Sequence, residues 1–283
     1  MTPADSAAAS DPPAPADIPP RQLIVSLYGL YARDEHNWLS VAALVRLMAD
    51  LGVDAAAVRS SVSRLKRRDV LRAHKVDGAA GYALSPASVE ILREGDARIF
   101  DRPRAVLTDG WLLLLFSIPE SERDKRHTLR TQLTRLGYGT VSSGVWIAPG
   151  NLHAETITAL ERLTLTPYVE IFRADHVAFG DLRTKLAGWW DLDEIEVGYA
   201  RFARAYAPVQ ARWAKRAGSP RNAFADYLPM LTAWRRLPYL DPGLPLELLR
   251  PGWTGIRTAR LFHDLDAQLR SASREHALAL IRG

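Results

Sequence analysis

Apolar positions recur along this chain with two different periods, and the switches between them divide it. From 21 to 32, Leu23, Leu27, Leu30 and Tyr31 form one stripe of a helix, broadened by Ile24. Ser40 stands where an N-cap belongs. Leu44, Leu47, Met48 and Leu51 then repeat at helical spacing until Gly52 stops the run. After a short turn, Asp54 caps a helix over 54–69 in which Val58, Val62 and Leu65 share one face. Arg59, Ser63, Lys66 and Arg67 line the other. Two helices joined by a short turn, the second of them basic, form a helix-turn-helix pattern.

Past Asp69 the helical period gives way to short extended runs at 70–76 and 81–84, with Asp77-Gly78 between them as a turn. This predicts a β-hairpin, or wing. Pro86 opens a helix to about Phe100, which closes a first domain over 21–103. Between 104 and 180 the order changes to strand 111–118, helix 120–136, strands 139–141 and 145–147, helix 152–163 and strand 168–172. That βαββαβ order predicts a ferredoxin-like sandwich. The run Trp111 to Phe116 is apolar at every position, so the sheet face turned away from its helices needs cover from another domain or a second subunit. From 181 to 283 the pattern is helical: Trp189-Trp190 near an entry turn, helices at 193–217 and 222–237, Pro-rich turns from 238 to 252, and a final helix over 254–281. The fold class expected is α+β multidomain, with a winged helix-turn-helix, a ferredoxin-like middle domain and an all-helical C-terminal domain.

Composition changes this picture in four places. Residues 1–20 are rich in Ala, Pro, Ser and Asp without a basic stretch before an apolar one, so they read as a disordered tail and not a signal peptide. No run is long and apolar enough to cross a bilayer, and a cytoplasmic location is expected. The absence of cysteine excludes disulfides, thiolate catalysis and zinc fingers. Lys and Arg exceed Asp and Glu by 37 to 32, which favours acidic partners.

The charge concentrates on the helix over 54–69, which carries Arg59, Arg64, Lys66, Arg67 and Arg68, with Ser60, Ser61 and Ser63 small enough for close approach to DNA. The alternative for this face is simple solvation. Arg72, His74 and Lys75 on the wing would reach phosphates or a minor groove, and for His74 an ordinary solvent-facing role is the alternative. Arg201, Arg204, Arg212, Lys215, Arg216, Arg235, Arg236 and Arg257 would make either an anion site or solvated helix faces. Trp213, Trp234, Tyr239 and Trp253 read as core. His263, Asp264 and Asp266 lack further ligands and read as surface. No Gly-rich phosphate loop, HExxH motif or GxSxG elbow is present, so no catalytic residue, metal site or resident cofactor is expected.

Three groups of motifs resemble the PaaX family of bacterial transcriptional repressors, which control catabolism of phenylacetate and related compounds. The first is Val58-Arg59-Ser60-Ser61-Val62-Ser63-Arg64-Leu65. The second runs from Gly81-Tyr82-Ala83-Leu84-Ser85 through Arg98-Ile99-Phe100, Trp111 to Glu120, Leu136-Gly137-Tyr138-Gly139 and Gly144 to Pro149. The third comprises Leu244-Pro245, Leu248-Leu249, Trp253, Gly255 and Leu261-Phe262. Arg250 and Thr254 depart from the family's usual prolines. The resemblance implies a winged-helix DNA-binding domain, a middle domain similar to the small CRISPR-associated nuclease fold, and a helical C-terminal domain. It also implies a homodimer on a palindromic double-stranded operator, released by an aryl-CoA thioester effector such as phenylacetyl-CoA.

Within that reading Ser60, Ser63 and Arg64 contact bases or backbone in the major groove, while Arg59, Lys66, Arg67, Arg68 and the wing residues hold phosphates. The effector pocket, expected between the middle and C-terminal domains, has no residues assigned. The competing reading is an RNA-binding or nuclease-like protein acting through the middle domain. The related nucleases place a metal-binding aspartate near the end of the first strand, where this chain has Ser117.

Overall fold

The computed structural model describes residues 18–177 and 179–283; the expected N-terminal tail lies almost wholly outside them. The elements in chain order are α1 (Pro20–Leu27), β1 (Trp38–Ser40), α2 (Val41–Ala49), α3 (Ala55–Arg67), β2 (Leu71–Val76), β3 (Ala79–Leu84) and α4 (Pro86–Phe100). They continue with β4 (Trp111–Phe116), α5 (Arg123–Leu136), β5 (Gly139–Ser142), β6 (Val145–Pro149), α6 (His153–Arg162) and β7 (Val169–Ala174). The last are α7 (Leu182–Trp189), α8 (Leu192–Lys215), α9 (Pro220–Trp234), α10 (Leu237–Leu240) and α11 (Thr254–Arg282). They form two compact units: one takes residues up to Leu92, 201–233 and 264–283, the other 93–200 and 234–263. Both units thus draw on the helical last third.

In the first unit, α1 begins with Pro20 at N1, where its missing N–H costs nothing, and runs into a π-helical turn over Tyr28–Ala32. Leu23, Ile24 and Leu27 from α1, Leu44, Leu47 and Met48 from α2, and Val58, Val62 and Leu65 from α3 share one core. Phe224, Leu228 and Ala277, far away in sequence, complete it. Polar side chains join the same parts: Tyr31 Oη lies 2.6 Å from Ser273 Oγ, and Thr232 donates to Ser26 at 2.8 Å. The Asp50 carboxylate takes both His276 and Arg221.

The three-stranded sheet has the order β1-β3-β2. Strand β1 is too short to show a period, and periodicity gave no sign of it. It lies so close to β3 that a Cβ on Gly81 would stand 2.4 Å from the Leu39 carbonyl oxygen, so only glycine fits there. Asp77 and Gly78 both have positive φ, which suits the twist of a two-residue hairpin turn.

In the second unit the four-stranded sheet has the order β5-β6-β4-β7, with every neighbouring pair antiparallel. The apolar run in β4 follows from its central place. Leu112 and Leu114 pack with Leu129, Leu133 and Leu136 of α5 and Leu160 of α6. On the reverse face Trp111 meets the rings of Trp189 and Trp190 at 6.4 and 6.3 Å. The cover expected for that face from another domain or a second subunit is partial among the described residues: Trp189 of α7 and the adjoining Trp190 lie at the Trp111 end, while Leu115 is 36% and Phe172 51% exposed.

Candidate nucleic-acid interface

The local sequence orients α3. Asp54 sits in an extended conformation and its carboxylate accepts the Ala57 N–H at 2.8 Å, which sets the helix start. Val58, Ser61, Val62 and Leu65 point inward. Arg59, Ser60, Ser63, Arg64, Lys66, Arg67 and Arg68 are all exposed. Ser61 corrects the expectation of three outward serines: three residues beyond Val58 and four before Leu65, it falls on the buried stripe. Arg64, Lys66 and Arg67 crowd the last turn, where the helix dipole favours positive charge.

The hairpin continues this surface. Arg72, His74 and Lys75 are exposed, as is nearly all of β2, an edge strand paired only to β3. Arg72 is already engaged. Its Nε and Nη2 donate to the two oxygens of Asp69 at 2.8 and 2.7 Å, and this hydrogen bonding, with the charge of Arg72, holds the Asp69 carboxyl below its ordinary value. Lys66 lies 5.9 Å above the Tyr82 ring, which ties α3 to β3. Trp38 Nε1 donates to the His74 carbonyl at 3.1 Å, fastening the hairpin to β1. Among the described residues Arg59, Arg64, Arg67 and Arg68 make no side-chain hydrogen bond or ion pair, so their donors face solvent. Guanidinium groups free on one side of a helix, with exposed hydroxyls between them, suit phosphate contacts and bidentate hydrogen bonds to base edges.

Of the cations on the C-terminal helices that would make either an anion site or solvated faces, Arg204, Arg212, Lys215, Arg216, Arg236 and Arg257 are exposed, and Arg212 pairs with Asp226 at 2.6 Å. A different cationic group is gathered in the second unit around the 238–244 loop. Arg98 Nε donates to the Pro238 carbonyl at 3.0 Å, and its guanidinium lies 5.0 Å from the Tyr239 ring centroid. Arg102 donates to the carbonyls of Pro238, Asp241 and Pro242. Arg104 donates to the Leu244 carbonyl at 2.9 Å and pairs with Asp241 at 2.7 Å.

Burial, and then the charge of Arg102, push the Arg98 pKa down to about 10, which leaves the group charged at neutrality. Burial alone would raise the Asp241 carboxyl; Arg104, the Gly243 N–H, the Tyr199 hydroxyl and Arg102 outweigh it and hold Asp241 below its ordinary value. Periodicity did not point to this group, although the spacing of Arg98 and Arg102 by four residues was visible. Of the aromatic residues expected in the core, Trp213, Trp234 and Trp253 are buried and Tyr239 is half-buried.

The two departures at Arg250 and Thr254 converge on one carboxylate. Arg250 Nε lies 2.7 Å and Thr254 Oγ1 2.8 Å from Glu196. Ser117 is exposed just past the end of β4. Among the described residues no three His, Asp or Glu side chains gather as metal donors, and no helix is long and apolar enough to cross a membrane.

Comparison with known proteins covers most of the chain. Residues 19–88 match the family described as PaaX-like protein, 104–186 the PaaX protein central Cas2-like domain, and 190–279 the PaaX-like protein C-terminal domain. The transcriptional repressor PaaX of Escherichia coli (strain K12) is 29% identical over 248 residues, spanning 84% of this chain and 76% of its own. An uncharacterized protein from Mycobacterium tuberculosis has a similar fold, with a TM-score of 0.56 at 24% identity, covering 91% of this chain and 98% of that one.

Proposed function

This chain belongs to the PaaX-like family, and from that premise we propose that it is a DNA-binding transcriptional repressor whose α2–α3–hairpin region works as a winged helix-turn-helix. The observation that carries the proposal is the solvent-facing side of α3, where Arg59, Arg64, Arg67 and Arg68 stand unpaired around Ser60 and Ser63. In this reading Arg64, Ser60 and Ser63 contact base edges in the major groove, and the remaining cations with Lys75 and His74 hold phosphates. The described relative of known role, a transcriptional repressor, supports the same direction. The strand order and the packing of both α5 and α6 against one sheet face support a ferredoxin-like reading of the middle segment.

The finer proposal is a homodimer on a palindromic operator of an aromatic-acid catabolic operon, released by an aryl-CoA thioester. Release requires that the thioester bind the DNA-free conformation more tightly than the DNA-competent one. A gel-shift titration of the purified protein on DNA upstream of its own gene, with and without a panel of CoA thioesters, tests both halves. Operator binding abolished by one thioester is the expected result. Equal affinity for unrelated DNA would refute the repressor role, and metal-dependent cleavage of DNA or RNA would favour the nuclease-like reading of the middle segment.

A further inference from the structure

The second unit has a half-open cavity of about 660 Å³, within the range of small-molecule sites, whose wall includes Arg98, Arg102, Arg104, Trp234, Ile256 and Arg260. Its charges are unbalanced, four arginines (Arg98, Arg102, Arg104 and Arg260) standing against Asp241 and the exposed Asp101. Asp241 is saturated: one carboxylate oxygen accepts the Gly243 N–H at 2.7 Å, the other the Tyr199 hydroxyl at 2.8 Å and Arg104 at 2.7 Å. Arg104 therefore has its counter-charge. Arg98 and Arg102 bind main-chain carbonyls, which accept hydrogen bonds without neutralising charge. The carboxylate nearest Arg98 is Glu155, 3.7 Å away and itself largely exposed.

Arg98 is only 7% exposed, and its Nη2 has no acceptor among the described residues; the buried Nε of Arg102 has none either. A buried guanidinium left short of both acceptor and counter-charge is costly unless an anion completes it. Clamping the 238–242 carbonyls explains three of the donor atoms on these two arginines and leaves those two unexplained. Gly243 keeps the space beside Arg102 open, since a Cβ there would stand 3.4 Å from its Nη2 and 3.6 Å from its Nε.

The wall also carries apolar surface, from Ile99, Trp234, Leu246 and Ile256, and part of it is held in place. Trp234 stacks on Phe262 at 4.4 Å with the rings 9° from parallel, and its Nε1 donates to the Ile99 carbonyl at 3.0 Å. Phe100 lies on the other side of Phe262, 6.2 Å away. Cations beside fixed aromatic and aliphatic surface select a ligand of matching polarity.

We propose that this cavity is a binding site for a small organic anion with an apolar acyl or aryl body, whose carboxylate or phosphate oxygens are taken by Arg98 and Arg102 while the body lies against Trp234 and Ile256. The choice of probes rests on the repressor reading; the site itself is tested by direct binding. Isothermal titration of the full chain with phenylacetate, coenzyme A, phenylacetyl-CoA and the neutral phenylacetamide, alongside thermal shifts, reads it out. At least one anionic probe binds and raises Tm, and the amide does not. Preference for phenylacetate identifies a carboxylate site, and binding of both coenzyme A and its thioester a phosphate site.

Arg98→Met, which keeps most of the side-chain volume, weakens that binding on the order of ten- to a hundredfold, as loss of a charge-assisted hydrogen bond does. Ala259→Trp, which puts bulk into the cavity and leaves every arginine in the chain, abolishes it and remains informative if Arg98→Met does not fold. Binding that is equal for the amide, or unchanged in a folded Ala259→Trp protein, overturns the proposal, as does the absence of binding by every anion. A protein that binds its operator yet fails these titrations loses the cavity site and keeps the repressor reading. The reverse result separates them the other way.

Discussion

Arg72 is tied to Asp69 through both branches of its guanidinium, whereas Arg64, one short loop away, has no such partner among the described residues. Their equal charges are therefore unequally available. Replacing Arg64 by Ala is expected to weaken operator binding by about 1–3 kcal/mol if it reads a base, with little change in thermal stability because the side chain is exposed. Arg72→Ala should cost less, since Asp69 already competes for it; anisotropy titrations of the two variants check the difference. Asp241 illustrates the opposite case, a charge whose surroundings stabilise the fold. Its folded pKa lies below the ordinary 3.8, so its contribution is complete above the unfolded value and is lost as pH falls through the folded one. Stability measured from about pH 5 down to about pH 3 should accordingly fall more steeply for the wild type than for Asp241→Asn.

At the scale of elements, α3 owes its start to a single carboxylate and its orientation to four buried side chains. Removing the cap with Asp54→Ala is predicted to cost roughly 1 kcal/mol in denaturant unfolding. Because α3 would present the DNA-reading side chains, the same change should also lower operator affinity, unlike a cap loss on a helix remote from DNA. The hairpin depends on a different device, the close approach of β1 and β3 that Gly81 permits. Helices and strands of ordinary length were legible in the apolar periods, as with α4, whose bounds from Pro86 to Phe100 coincide with those expected. Strand β1 was not, because three residues cannot display a period. Nor was α7, which the sequence showed only as an entry turn near Trp189-Trp190, the last residue of the helix and its C-cap.

For the whole molecule, the first unit is the main surprise, since its core includes residues from the last third of the chain. Phe224→Ala should destabilise that unit by about 3–5 kcal/mol, as a large cavity in a core does, and impair DNA binding without touching any DNA-facing residue. Circular dichroism melts paired with gel shifts would show the two losses together. Summed phosphate contacts from α3 and the wing also predict a steep fall of operator affinity between about 50 and 200 mM salt. Affinity that stayed flat across that range would mean the exposed cations are merely solvated.

The sequence by itself determined the order of the elements, the caps at Ser40 and Asp54, the Asp77-Gly78 turn and the placing of basic side chains on one side of α3. These are local properties, set by periodicity, hydrogen bonds a few residues apart and the sign of φ. Only the tertiary structure decided that Phe224 and Ala277 complete the first unit's core. It alone gathered Arg98, Arg102 and Arg104 around Asp241, whose carboxylate lies some 140 positions along the chain. Such contacts depend on chain reversals that leave no period behind, which is why charge pattern pointed to the basic helix α3 and not to the cavity.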